Sequence, residues 1–131
     1  FANVVIKGKA ATVTQGGMSY VPTKVTPRTM LASEVSDPTK YNLIVVGGPC
    51  ANSLAETVFG VTCDGWSYKE GEALVKVAAN GEKVAMLVAG TTALDTRRAA
   101  KAVANYATYA LSGTEVVVKG TTLEDISVVK A

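Results

Sequence analysis

Two glycine turns carry most of the chemistry this chain could offer. Gly47-Gly48-Pro49 and Gly90-Thr91-Thr92 each follow a short apolar run and lead into a helical pattern. Free backbone N–H groups and the helix dipole at such a point favour an anion. Gly47, Gly48, Thr91 and Thr92 are therefore a candidate anion site. Neither turn has the three spaced glycines of a dinucleotide fingerprint or the Gly-Lys-Ser/Thr of a phosphate-binding loop. Pro49 also removes one donor, so tight-turn packing competes with binding. Arg97 and Arg98 could clamp a phosphate, or could line a solvated or intersubunit helix face. Asp64, Glu70 and Glu72 share one loop region and could ligate calcium, but without the spacing of a known loop.

The chain has no histidine. That removes the commonest general base, the commonest metal ligand and every Ser-His or Cys-His arrangement. Nothing assembles a nucleophile, a base and an oxyanion site, so the expectation is a protein without catalytic residues, cofactor or metal. Cys50 and Cys63 cannot make a zinc site alone. Lying 13 positions apart with a helix between them, they suit either a disulfide closing a small loop or two buried thiols. A bridge over such a loop stabilises by about 3 kcal/mol in the chain-entropy account.

The elements that must hold these residues form a strand–glycine–helix unit that occurs twice, as NLIVVGGPCANSLAETVFG (Asn42 to Gly60) and KVAMLVAGTTALDTRRAAKAVANYA (Lys83 to Ala107). Apolar runs of this kind suit strands buried on both faces. In the first helix, Pro49 fits the first position and Gly60 the stop. Ala51, Leu54, Ala55, Val58 and Phe59 make one apolar face. In the second, Thr92 and Asp95 form a capping box. Ala99, Ala102, Val103, Tyr106 and Ala110 are its expected buried stripe, with Arg97, Arg98, Lys101, Asn105 and Thr108 opposite and Ser112-Gly113 as the stop.

Between the units, Ala73 to Ala79 is compatible with strand or helix. A right-handed crossover between parallel strands favours helix there. Trp66 and Tyr68 sit in a polar excursion, either as an exposed contact or covering the sheet. Strands are expected at Ala2 to Val13 with a turn at Gly8, at Glu115 to Lys119, and at Ile126 to Val129. Met18 to Val25 fits only a short or edge strand, and Leu31 to Val35 a turn of helix. The expected fold is α/β: a Rossmann-like three-layer domain with a mainly parallel sheet and additional N- and C-terminal β-strands. It divides into an N-terminal β segment (1–40), a core (41–122) and a terminal strand (123–131).

The 131 residues suit one domain, burying roughly 68% of the unfolded surface, with 48% hydrophobic residues and a net charge of +2. That near-balance argues against nucleic acid as a partner. No apolar stretch reaches the length of a membrane span, and no Asn-x-Ser/Thr sequon occurs. An opening Phe1 reads as a processed product or an excised fragment.

In order and joint presence the two units, Cys63 and GEALVKVAANGEKVAMLVAGTTALDTRRAAKAVANYATYALSGTEVVVKGT resemble the C-terminal domain of archaeal S-layer proteins, over roughly Tyr41 to Thr122. More distantly the chain resembles the bacterial cell-wall-binding repeat. The first resemblance implies an extracellular structural protein that self-assembles into a surface coat or a filament, with other surface-layer chains or glycans as further partners. It carries no catalytic residues to transfer. An extracytoplasmic setting favours the Cys50–Cys63 bridge. Unpaired strand edges template association, so the expected assembly strands are Asn3, Val4, Val5 and Ile6, and Ile126, Val128 and Val129. The alternative is a cell-wall or glycan-binding module using its helix N-termini. A Rossmann-like enzyme comes last, since Asp64 and Glu70 bracket the ribose-binding distance from Gly48 without lying at a strand end.

Overall fold

A computed structural model describes residues 27–131. The strands expected across Ala2 to Val13 with their turn at Gly8, the assembly segment Asn3 to Ile6 among them, and the edge strand at Met18 to Val25 lie outside these residues. The elements are β1 (Leu43–Val46), α1 (Leu54–Phe59), β2 (Glu72–Asn80), β3 (Lys83–Gly90), α2 (Ala93–Ala104), β4 (Glu115–Lys119) and β5 (Ser127–Lys130), preceded by single 3₁₀ turns at Ala32–Glu34 and Pro38–Lys40. The strands form one sheet in the order β1-β3-β2-β4-β5.

This corrects the expected fold. The sheet is mixed, with β1–β3 its one parallel pair and the other three pairs antiparallel. Of the two described helices, one has only six residues. The domain is mostly β and is not a helix-rich, three-layer Rossmann-like domain. The overturned element is Ala73 to Ala79, which is strand and not crossover helix. Tertiary pairing decides it: β2 pairs with β3 from Ala73↔Gly90 to Asn80↔Lys83, and with β4 on its other side. Gly81, at φ +62°, takes the first central position of a two-residue hairpin turn, where a positive φ matches the strand twist. A hairpin forces antiparallel neighbours and leaves no room for a crossover.

Alternation along the strands splits the apolar residues between two cores. On one face Ala73, Val75, Val88, Val116 and Val118 pack with Ala99 and Ala102 of α2. On the other, Val45, Leu74, Leu87 and Ala89 pack with Leu54 and Ala55 of α1, together with Ala32, Val35, Trp66 and Tyr68. The buried side chain of Asn80 donates to the carbonyls of Pro38 and Tyr41 at 2.7 and 3.0 Å, tying the approach to β1 onto the hairpin.

Both helices are shorter than their apolar patterns. α1 begins at Leu54, because Asn52 turns the chain by accepting from Leu54 N–H and donating to Val46 O. It ends at left-handed Gly60, as expected. α2 stops at Asn105, whose side chain donates to Lys101 O and so competes with the helix ladder. Ala110 follows in the left-handed region (φ 52°). Tyr106 and Ala110 consequently lie exposed, outside the buried stripe.

Candidate functional site

β1 and β3 run parallel and end side by side, so both glycine turns open at one end of the sheet. There Gly47, Gly48, Thr91 and Thr92 line one cavity of about 400 Å³ with Pro49, Trp66 and Arg97. The four residues singled out in the sequence are thus brought together, but most backbone donors around them are committed. Gly47 N–H donates to Val88 O and Thr91 N–H to Glu72 O. Gly90 N–H donates to Thr96 Oγ1 and Thr92 N–H to the Asp95 carboxylate. Thr91 Oγ1 accepts from Trp66 Nε1 at 2.9 Å and donates to Tyr68 O at 3.1 Å. Arg97 is left as the exposed cation on the cavity wall.

The wall itself is held by a disulfide and an aromatic pair. Cys50 and Cys63 are bonded, joining the turn after β1 to the loop that carries Trp66. That ring stacks at a tilt on Tyr68, with centroids 4.8 Å apart. Both rings pack on the α1-side core, so they cover the sheet face. Burial, with Glu115 and Glu72 nearby, raises the Tyr68 phenol above its ordinary pKa.

Behind the cavity lies a feature that sequence patterning placed on the wrong face. Arg98 is not solvated: it is 1% exposed and pairs with Asp95, also 1% exposed, through a 2.7 Å contact from Nη1 to Oδ1. Asp95 further accepts from Thr92 N–H at 3.0 Å and from Gly71 N–H at 3.1 Å. The Arg98 Nε donates to Thr122 O at 2.5 Å. One buried pair therefore joins the start of α2, the start of β2 and the β4–β5 loop. Burial alone would raise Asp95, but hydrogen bonds from Arg98, Thr92 and Gly71 outweigh it and hold the carboxyl below its ordinary value.

Two glycines make room for this pair. A Cβ on Gly90 would run into Thr96 N and lie 2.6 Å from Asp95 Cβ. One on Gly120 would lie 2.7 Å from Arg98 Cδ. The legible signal was spacing: Asp95 and Arg98 fall at i and i+3 on the stripe that Ala99 and Ala102 continue. With Asp95 already at the N-terminus of α2, the helix dipole has its negative partner.

The acids proposed for calcium do not converge. Among the described residues no group of three or more His, Cys, Asp or Glu side chains gathers. Glu72 instead accepts from Lys69 N–H at 3.0 Å and meets Lys119 at 3.4 Å. The Lys69 amide and Lys119 lower its pKa. Asp125, taking hydrogen bonds from the hydroxyls and amides of Thr121 and Thr122, folds the β4–β5 loop on itself and titrates far below its ordinary value.

The sheet ends supply the other candidate surface. β5 contains Val128, which packs against the α2-side core, and Val129, 42% exposed; Ile126 just precedes the strand and packs on that same core. β1, at the opposite end, exposes Ile44 and Val46 (41% and 54%) on the face that α2 leaves uncovered. No described helix is long and apolar enough to cross a membrane.

No curated protein matches the chain, and no solved structure does. One family does match: residues 2–107 fit the S-layer like family, outer domain. The match begins well before the resemblance read from the sequence and stops short of β4. It spans most of the chain and is consistent with the disulfide, which suits an oxidising surface setting. The chain belongs to the S-layer like family, outer domain, and its role is a structural one at the cell surface.

Proposed function

We propose that this chain is a structural subunit that self-assembles into an extracellular S-layer or a surface filament. The observation that carries the reading is the contrast between interior and rim. Among the described residues no buried side-chain polar atom lacks a partner, yet the sheet terminates at both ends in four-residue strands with exposed apolar side chains. Open sheet edges are templates for other chains, and association is what the family's structural role requires. Nothing in the cavity aligns a nucleophile with a base, and the enzyme reading gains no support from it.

Negative-stain electron microscopy of the purified protein tests this. Regular sheets or threads are expected, and their form separates lattice from filament. A monodisperse monomer across salt and calcium conditions would refute self-assembly.

A second reading, a wall- or glycan-binding module, draws on the cavity and on Arg97. Its donors are largely committed and Asp95 already offsets the helix dipole, so binding would rest on one guanidinium. Calorimetric titration with an anionic polysaccharide decides it: heat that disappears in Arg97→Ala supports the module, and no heat removes it.

A further inference from the structure

The outer edge of β1 is built to take one more strand. In a parallel pair the N–H and C=O of one residue point to the same side, and successive residues alternate. Gly47 N–H donates to Val88 O, so Val45 and Leu43 also face β3 and Ile44 and Val46 face outward. The outward carbonyl of Val46 is capped by Asn52 Nδ2 at 3.0 Å. That leaves Ile44 N–H, Ile44 C=O and Val46 N–H as the hydrogen-bonding groups of the edge, and among the described residues nothing pairs with them. Above this edge α2 packs on β2, β3 and β4, leaving the side chains of Ile44 and Val46 41% and 54% exposed. Three backbone groups beside two apolar side chains match a strand of about four residues.

The opposite end differs. β5 carries Ser127 and Lys130, both exposed, and charged residues on an edge discourage pairing.

We infer that the β1 edge is the acceptor for the N-terminal segment Asn3–Ile6 of a second copy of this chain, an inference that rests on the self-assembly reading. The segment Asn-Val-Val-Ile has the length of the edge and the β-branched residues that suit a sheet, and Lys7-Gly8 closes it. Within an added strand, alternate side chains lie beside Ile44 and Val46 and cover them. The 20 residues from Lys7 to Thr26 span at most about 66 Å, against a diameter of roughly 36 Å for a domain of this length. A tether of that length is long enough to carry the segment past its own domain to a neighbour.

Two variants of the full chain test this. One lacks residues 1–7 and keeps the acceptor edge. The other, Ile44→Pro, keeps the donor but loses the outward N–H, a change an edge strand accommodates because its ladder to β3 does not use that group. Ile44→Lys serves alongside it, should circular dichroism show the proline variant unfolded. The wild type should polymerise, and each variant alone should remain monomeric by light scattering. Their mixture should give a 1:1 dimer of doubled mass, one donor in one intact edge.

Polymerisation of the deletion variant, wild-type polymerisation of both Ile44 variants, or a mixture that stays monomeric would each overturn the inference while a polymerising wild type leaves the self-assembly reading standing. A wild type that never polymerises would remove both.

Discussion

Replacing Asp95 by Asn removes one charge from the buried pair and leaves its shape nearly intact. Arg98, 1% exposed, would then keep a buried guanidinium with a neutral amide and the Thr122 carbonyl. Breaking a buried ion pair from one side costs about 3–5 kcal/mol, because the surviving charge stays desolvated. The introduced amide has one acceptor oxygen in place of two. It can still accept from Gly71 or Thr92 but not from both and Arg98 at once, so the upper part of that range is expected. In a domain of this size 1 kcal/mol moves Tm by about 4 °C, and a fall of about 16–20 °C follows.

Arg98→Met should cost less, about 2–3 kcal/mol, since the Asp95 carboxylate would keep the Thr92 and Gly71 amides. The double variant should recover part of the Asp95→Asn loss. The pH dependence has a definite sign. Asp95 titrates below its ordinary 3.8 in the folded chain, so its stabilisation is complete above that value and fades as pH falls through the folded pKa. The gap between wild type and Asp95→Asn must therefore be full at pH 7 and shrink below about pH 4. Urea melts of the disulfide-intact proteins at several pH values provide the assay. A cost under about 1 kcal/mol, or a gap that widens in acid, would refute the view that this pair holds α2, β2 and the β4–β5 loop together.

Gly90→Ala should destabilise by more than about 2 kcal/mol, because its Cβ would meet backbone at Thr96 and Asp95 with no flexible side chain to yield; thermal melts measure this. The paired substitution Cys50→Ser and Cys63→Ser should lower stability by about 3 kcal/mol. Reductant should then depress the melting point of the wild type and leave that variant unchanged. Asn80→Ala abandons two carbonyls, those of Pro38 and Tyr41, and should cost about 1–2 kcal/mol. Limited proteolysis should show new cleavage between residues 36 and 42 before any global loss of structure.

The parts of this fold legible in the sequence are those fixed by neighbours in the chain. The Thr92–Asp95 capping box and the left-handed stop at Gly60 need only local geometry, and each lies where its residues place it. The strands at Glu115–Lys119 and near Ile126–Val129 also stand. What failed depends on partners distant in sequence. Ala and Lys in β2 permit a helix, and only pairing with β3 on one side and β4 on the other makes the segment a central strand. Charge and helical position suit Arg98 to a phosphate clamp or to a solvated or intersubunit face. Its burial depends on space left by Gly90 and Gly120 and on a carbonyl at Thr122, none of which lies within a helical turn of it. The cavity fared in between: the four glycine-turn residues do converge, but hydrogen bonds to Glu72, Trp66 and Tyr68 commit groups that the local sequence leaves free.

A donor segment at one end of the chain and an acceptor edge on β1 make a heterologous contact, in which the two joined surfaces differ. Such a contact closes into a ring only if the rotation it imposes returns to the start; otherwise it propagates as an open filament. The domain offers little resistance to propagation, since each added copy brings its own free β1 edge. The rigid body between successive joints is the one tied by the Asp95–Arg98 pair and the Cys50–Cys63 bridge, so strain passed along a thread would reach the two cores through β1 and β3. The parallel β1–β3 pair is then the junction that must hold, since among the described residues β1 is bonded to the sheet through β3. Weakening that pair with Leu87→Ala, a fully buried position, should cost about 2–5 kcal/mol in the isolated chain. Threads of this variant should break under shear at lower force than wild type. Equal fracture forces would place the weak joint elsewhere, at the added strand itself.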